Sequence, residues 1–229
     1  VERVGDAGVL CFNPGDALGR VVDLFDFEDF AMRCVRDRAP IDALLERATA
    51  DLLRGIAVAG GVVAEATFRL WGPEYSGAPL MNPRRFFEPF VVTPARKLTA
   101  AIHATGNFSV IHCHGRLRDL LTPIAEIGAD ALEPIETLPL ASADVTLTGV
   151  KQALGDRMCL MGAVQATTLE NGTPAQMDAE VRAAIRDAGA GGGFILLPTA
   201  APFMLPLTPV CLENARTMYT AARHYGCYA

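Results

Sequence analysis

The chain has 229 residues, of which 51% are hydrophobic and 20% are charged. This composition excludes an intrinsically disordered protein, which combines low hydrophobicity with high net charge, and it excludes collagen-like and coiled-coil sequences. Twenty basic and 26 acidic residues give a formal net charge of −6 without a cluster of Lys or Arg, so we expect neither nucleic acid nor membrane as a partner.

The predicted strands are short apolar runs, each nearly continuous and bounded by Gly, Pro or Asp. Such runs are typical of strands that are buried on both faces of a sheet. In chain order they are Gly8–Phe12, Gly61–Thr67, Phe108–His112, Ala131–Glu136, Met158–Gly162 and Gly193–Leu197. Because longer helical stretches separate them, the sequence predicts parallel βαβ units.

Capping residues delimit the predicted helices. An N-cap residue followed by proline at the first helical position occurs at Asn82, Thr173 and Thr208. Glycines stand where three helices are expected to stop, at Gly128, Gly155 and Gly189.

Six βα units are two fewer than a (β/α)8 barrel contains, and that fold usually takes about 250 residues. Two open parallel edges would expose unpaired backbone groups, and the chain starts at Val1 rather than at methionine. We therefore predict a single domain over residues 1–229, of the (β/α)8 TIM-barrel type, that lacks the first one or two βα units.

The cysteines suggest a reducing compartment. None of the six forms a C-x-x-C pair, and a chain of this size does not need a disulfide framework. No secretory signal is present, and no apolar run reaches the roughly 18 residues that a membrane span needs. We expect a cytoplasmic protein, and we interpret Tyr219, Tyr225 and Tyr228 as packing residues, with a homodimer contact as the alternative.

The histidines at the end of the third predicted strand point to a ligand site. Residues i and i+2 of a strand share a face, so His112 and His114 are expected to point together and Cys113 to point away. Two adjacent imidazoles suit zinc or a similar metal. Alternatively, one histidine binds substrate and the other contacts a neighbouring loop.

Acidic and polar residues lie at the predicted ends of other strands. Glu65 falls near the end of the second strand, Glu74 and Tyr75 follow in the next loop, and Glu136 ends the fourth strand. A carboxylate beside imidazoles can ligate a metal or act as a general acid or base, although solvated loop acids are the simpler interpretation. Gln165 follows the fifth strand and is placed either to orient a ligand or to cap the next helix.

Ordered motifs over about residues 60 to 220 resemble the uroporphyrinogen decarboxylase superfamily. The matching segments are GPEY at 72–75, LMNPRRFFEPF at 80–90, IHCHG at 111–115, GADALEPIE at 128–136, LGDRMCLMG at 154–162 and GGFIL at 192–196. The resemblance implies a (β/α)8 barrel. It also implies that the family's first strands, with an N-terminal arginine loop and an early aspartate, are absent from this chain.

The resemblance implies one of two reactions. One branch decarboxylates the acetate groups of uroporphyrinogen without a cofactor. The other moves a methyl group from a corrinoid carrier protein to a thiol, with zinc held by a His-x-Cys pair and a distant cysteine. His112 matches the family's histidine and His114 takes the place of the first cysteine, whereas no cysteine stands near Pro198, where the distant one is expected.

Three functions follow as hypotheses. The first, which we favour, is corrinoid-dependent methyl transfer with zinc bound by His112, His114 and Glu136, or by Glu74 in place of Glu136. The second is cofactor-free decarboxylation of a polycarboxylate, in which Tyr75 and the histidines bind substrate acids. The third is a non-catalytic barrel that binds a tetrapyrrole or a partner protein. The predicted catalytic residues are Glu74, Tyr75 and Glu136, and the predicted substrate-binding residues are Glu65 and Gln165.

Overall fold

The computed structural model describes residues 5–78 and 80–226 and divides the chain into two compact units, Val1–Ala131 and Leu132–Ala229. In both units strands alternate with helices along the chain. This alternation is that of a (β/α)8-barrel type fold and confirms the predicted fold class. Of the three C-terminal tyrosines, Tyr228 lies outside the described residues.

The first unit holds three strands, β1 (Cys11–Phe12), β2 (Thr67–Trp71) and β3 (Phe108–His112). They are parallel neighbours in chain order, with Cys11 opposite Thr67 and Thr67 opposite Phe108. The helices of this unit are α1 (Ala17–Val22), α2 (Phe27–Arg36), α3 (Ala39–Gly60), α4 (Pro83–Phe87), α5 (Thr93–His103) and α6 (Leu121–Ile127), and a π-helical turn spans Glu88–Val92.

The two faces of β2 have different surroundings. Phe68 and Leu70 are almost fully buried, whereas Arg69 and Trp71 on the opposite face are partly exposed. Trp71 lies opposite His112 at the end of β3. Because strands alternate their side chains between faces, Arg69 and His112 lie on the same face of this part of the sheet.

The second unit holds β4 (Ala131–Ile135) from Leu132 onward, together with β5 (Cys159–Val164) and β6 (Phe194–Pro198), and the three strands lie in that order. Strands β5 and β6 are parallel, with Leu160 opposite Phe194. The helices are α7 (Leu147–Leu154), α8 (Ala166–Asn171), α9 (Pro174–Ala188) and α10 (Pro209–Tyr225). The core of this unit is formed by Val164, Leu169, Met177, Val181, Cys211 and Ala221.

The predicted helix boundaries agree with the structure. The side chain of Asn82 accepts a hydrogen bond from the backbone of Arg84, and Thr173 forms a capping box with Gln176. The side chain of Thr208 caps α10 by accepting a hydrogen bond from the backbone N–H of Cys211. The glycines predicted to end helices, Gly128, Gly155 and Gly189, are the C-caps of α6, α7 and α9. None of the helices within the described residues is long and apolar enough to cross a membrane.

The second strand differs from its prediction. The sequence predicts an extended strand from Gly61 to Thr67. In the structure, residues 61–66 form a turn after the 22-residue helix α3, so β2 starts only at Thr67. Glu65 adopts a positive φ of 58° and its backbone N–H donates to the carbonyl of Gly106. The side chain of buried Asn107 accepts from the N–H of Ala66 at 3.0 Å, which holds the turn in place.

Candidate functional site

The C-terminal ends of β1, β2 and β3 bring several polar residues together in the first unit. The backbone N–H of Asp16, shortly after β1, donates to the carbonyl of Trp71 at 3.1 Å. Trp71 is in turn opposite His112 in the sheet register. Barrel enzymes carry their active sites at this end of the strands, so these three strand ends form the candidate site of the first unit.

The two predicted histidines are in contact. The rings of His112 and His114 have their centroids 4.6 Å apart and meet nearly edge to face, at 83°. Cys113 between them is fully buried, whereas His114 is partly exposed. The structure thus brings together the imidazole pair that the sequence singled out.

Arg69 is a further member of this site that sequence reasoning missed. Its Nη2 lies 2.6 Å from Nδ1 of His112 and 3.4 Å from Nε2. A charged residue inside the otherwise apolar run from Phe68 to Trp71 was the available signal. An arginine is rarely placed on a strand in such surroundings unless its charge is matched or used.

Asp16 is the second residue that the sequence interpretation missed. It is only 3% exposed and is the N-cap of α1, where its Oδ1 accepts a hydrogen bond from the N–H of Gly19 at 2.7 Å. Burial raises the pKa of Asp16 to about 8, because desolvation outweighs that hydrogen bond and the negative charge of Glu74 adds to the rise. Asp16 therefore keeps its proton at neutral pH.

Gly72 makes the close approach of Asp16 possible. It has a positive φ of 130°, and a Cβ at this position would overlap Oδ1 of Asp16 and the backbone of Gly19. Glycine is the residue that tolerates both conditions. The glycine at the start of the GPEY motif is thus required for the buried position of Asp16.

Glu74 and Tyr75 lie on a 3-10 turn, Pro73–Ser76, that follows Gly72. Both side chains are partly exposed, but Oε2 of Glu74 is buried and has no hydrogen-bond partner in the part of the chain that the structure describes. Burial raises the pKa of Tyr75, with smaller contributions from nearby carboxylates including Glu74. Glu74 and Tyr75, which the sequence predicted as site residues, thus lie close enough to Asp16 to interact with it electrostatically.

Two predicted residues lie in the second unit. Glu136 directly follows β4 and is partly buried. Gln165 follows β5 as the N-cap residue of α8, without a side-chain capping bond, and its backbone N–H donates to Glu180 at 2.5 Å. Gln165 and Glu180 line a cavity of about 550 Å³ together with Thr137 and Thr146. The roles predicted for Glu136 and Gln165 stay predictions.

The location predicted for Glu65 is wrong. The sequence interpretation places it near the C-terminal end of the second strand, but it precedes β2. Its backbone N–H donates to the carbonyl of Gly106, which lies shortly before β3. Glu65 is exposed at the N-terminal ends of the strands, at the opposite end of β2 from Trp71. The reason is that β2 starts later in the sequence than predicted, at Thr67, so that Glu65 lies before the strand instead of near its end.

The donor set does not fit a metal ion in its present arrangement. Among residues 5–78 and 80–226, no group of three or more His, Cys, Asp or Glu side chains could hold a metal. A guanidinium also lies against Nδ1 of His112, and a positive charge there repels a divalent cation. The zinc ligands predicted as His112, His114 and Glu136 stay a prediction that this geometry does not favour.

Comparisons with solved structures support the fold. The structure is similar to that of a methyltransferase from Methanosarcina mazei, with a TM-score of 0.79 and 20% sequence identity over 99% of this chain and 61% of that chain. A second similar structure, GH5_18 from Streptomyces cattleya in complex with Manb1-4GlcNAc, has a TM-score of 0.34 and 17% identity over 83% of this chain and 43% of that chain. That score is too low to inform the fold.

The chain spans about three-fifths of the length of the Methanosarcina mazei structure. No curated protein matches it. Residues 23–225 match the family described as Uroporphyrinogen decarboxylase (URO-D), which is most of the chain. This chain therefore belongs to the uroporphyrinogen decarboxylase (URO-D) family.

Proposed function

We propose that this chain carries part of the active site of a URO-D superfamily enzyme that decarboxylates a substrate with several carboxylate groups, such as uroporphyrinogen. The observation that carries the proposal is a buried carboxyl with a raised pKa at the strand ends of the first unit, in a site that also contains a guanidinium. Arg69 supplies the positive charge and Asp16 supplies the proton. Decarboxylation needs both, one to hold the anion and one to replace the group that leaves.

The reaction can be balanced with these residues. The bond between the substrate carbon and its carboxylate breaks, CO₂ leaves, and the electron pair stays on the substrate. A proton from an acid then takes the place of CO₂ on that carbon. A general acid works best when its pKa is close to the working pH, and burial gives Asp16 such a pKa.

Glu74 and Asp16 would share the proton transfer. Glu74 is partly exposed whereas Asp16 is buried, so Glu74 would exchange the proton with the substrate and Asp16 would resupply it. The negative charge of Glu74 adds to the rise in the pKa of Asp16, which favours a protonated Asp16 over two negative charges. Tyr75 would donate a hydrogen bond to a second acid group of the substrate.

Glu74→Gln tests the proposal in the purified protein. The protein is incubated with uroporphyrinogen under anaerobic conditions, and CO₂ release and the loss of carboxyl groups are measured. Removing the carboxyl that exchanges the proton with the substrate is expected to slow the reaction by about 10²–10⁴-fold. The matched control is Glu46→Gln, an exposed residue of α3, which should keep the wild-type rate. A Glu74→Gln protein as active as wild type would contradict the proposal.

Metal-assisted methyl transfer is the second candidate, and the contact between the rings of His112 and His114 favours it. Zinc would supply Lewis-acid chemistry, with the methyl group donated by a corrinoid on a carrier protein. His112 would then have to turn a nitrogen lone pair toward the metal beside the guanidinium of Arg69. Transfer of a methyl group from methylcobalamin to a thiol by zinc-loaded protein, without CO₂ release from uroporphyrinogen, would select this candidate.

A further inference from the structure

A cavity of about 550 Å³ in the second unit is lined by helix α9 and by the segments that follow β4 and β5. Glu180 and Asp187 on α9 contribute to one side of it, and Thr137 and Gln165 contribute from the two strand ends. Small-molecule binding sites have volumes of about 300–1,000 Å³. The cavity therefore has room for an organic ligand.

Glu180 contributes a carboxylate that no basic side chain neutralises. Its Oε1 accepts a hydrogen bond from the backbone N–H of Gln165 at 2.5 Å, and Glu180 makes no other hydrogen bond or ion pair with the residues that the structure describes. A carboxylate can accept about four hydrogen bonds, so most of this capacity is unused. Of the described residues that line the cavity, none is a Lys, Arg or His.

A second carboxylate lies on the same face of α9. Asp187 follows Glu180 by about two helical turns, which is roughly 10 Å along the helix axis. Between them, the small side chains of Ala183 and Ala184 line the cavity. Oδ1 of Asp187 also accepts from Arg186, but the side chain of Arg186 is 71% exposed, so solvent screens that pair. The wall formed by α9 is thus acidic at both ends and has small residues in its middle.

Apolar side chains and an amide complete the lining. Leu138 and Leu140 come from the loop after β4, and Leu147 is the first residue of α7. The side chain of Gln165 makes no capping bond at the start of α8, so its amide oxygen can accept a hydrogen bond from a ligand. A ligand that complements this lining carries positive charge on an alkyl body.

We propose that the cavity binds a linear alkyl diamine, with one ammonium group at Glu180, the other toward Asp187 and the alkyl chain against the leucines. Hydrogen bonds between ammonium and carboxylate groups are charge-assisted and therefore strong. The carboxylates of a substrate such as uroporphyrinogen would be repelled by the same two residues. A metal ion is not favoured either, because the described residues contain no group of three or more side chains that could hold one. Diamine binding here is independent of the decarboxylation proposed for the first unit.

Calorimetric titration of the purified protein at low salt tests the proposal with three ligands of similar length. Hexamethylenediamine carries two positive charges, hexylamine carries one, and adipate carries two negative charges. We expect hexamethylenediamine to bind with one-to-one stoichiometry and adipate not to bind. Hexylamine should bind at least about tenfold more weakly than the diamine, because it lacks one charge-assisted hydrogen bond. Hexamethylenediamine that binds no more tightly than hexylamine, or does not bind, would overturn the proposal.

Glu180→Gln identifies the site of binding. The new amide oxygen can still accept from the N–H of Gln165, but the charge is lost, so the affinity for hexamethylenediamine should fall at least about tenfold. The matched control is Glu213→Gln, because Glu213 is an exposed residue of α10 that does not line the cavity. It should keep the wild-type affinity. A wild-type affinity in Glu180→Gln, or an equal loss in Glu213→Gln, would overturn the proposal.

Asp187→Asn distinguishes the two ends of the ligand, and it gives a result even where Glu180→Gln does not fold. It should lower the affinity for hexamethylenediamine to that of hexylamine and leave the binding of hexylamine nearly unchanged. An Asp187→Asn protein with wild-type affinity for the diamine would overturn the placement of the second ammonium group. Magnesium chloride supplies a dication without an alkyl chain, and its displacement of hexamethylenediamine at equal concentration would overturn the choice of a diamine.

Discussion

At the scale of single residues, burial decides the chemistry of the candidate site. A carboxyl group in water loses its proton well below neutral pH, but Asp16 is enclosed at the start of α1, where desolvation disfavours its charged form. Gly72 allows this enclosure because any larger residue would collide with Asp16. The sequence shows both residues, but it does not show that they meet across the ends of β1 and β2.

Asp16→Asn should change how stability depends on pH. The pKa of Asp16 is raised from 3.8 to about 8 on folding, so its contribution to stability is fully present below about pH 4 and is lost as pH rises through 8. Asparagine has no charge to desolvate and can keep the capping bond to Gly19. Asp16→Asn should therefore exceed wild type by about 2 kcal/mol or more at pH 8 and match it near pH 4.

Urea unfolding between pH 4 and pH 8 measures this difference. Asp29→Asn is the control, because Asp29 is exposed and pairs with Arg33 on the surface of α2, where such pairs contribute little. Equal pH dependence in wild type and Asp16→Asn would show that Asp16 is charged in the folded protein at neutral pH.

At the scale of elements, the sequence predicted helix boundaries well where the capping residue and its hydrogen-bond partner are close together in the sequence. The caps at Asn82, Thr173 and Thr208 act on residues two or three positions away, so their pattern is visible in the sequence. The start of β2 depends instead on Asn107, which is 41 positions away from Ala66. An apolar run alone could not show that its first residues form a turn.

Asn107→Ala should destabilise the first unit markedly. The buried side chain accepts from the N–H of Ala66 and donates to the carbonyl of Val63 at 3.1 Å, so it connects the turn before β2 with the start of β3. Alanine would leave these buried backbone groups without partners, which costs about 1–3 kcal/mol each. We expect a loss of about 2–4 kcal/mol in the free energy of unfolding.

Chemical denaturation followed by circular dichroism checks this expectation. Thr173→Ala is a suitable comparison, because it removes an exposed cap of α9 and should cost only about 1 kcal/mol. A loss for Asn107→Ala no greater than that for Thr173→Ala would mean that water replaces the bonds of Asn107.

At the scale of the whole molecule, the sequence predicted the fold class and most strands, because burial on both faces leaves apolar runs that are easy to recognise. The strand Phe108–His112 agrees residue for residue with β3. The candidate site was predicted only in part. The motifs IHCHG and GPEY contain four of its residues, His112, His114, Glu74 and Tyr75. The roles of Arg69 and Asp16 depend instead on neighbours that are distant in the sequence.

The surface of the second unit carries an apolar segment that should affect how copies of the chain associate. Phe203, Met204 and Leu205 are 75%, 61% and 84% exposed and follow one another between β6 and α10. The backbone N–H of Phe203 donates to Glu170 at 2.6 Å, which holds the segment against α8. Contiguous exposed apolar surface favours association, because contact removes it from water.

The double substitution of Phe203→Ser and Leu205→Ser should reduce self-association of the 229-residue chain without lowering its melting temperature, since neither side chain is buried. Static light scattering over a range of concentrations measures the mean mass, which we expect to fall toward 24.4 kDa. Val58→Ser is the matched control, because Val58 is 75% exposed on α3 with exposed Ala57 rather than large apolar residues beside it. An isolated exposed valine contributes little to association, so an equal drop in mass for both proteins would assign the effect to general surface polarity rather than to the segment around Phe203.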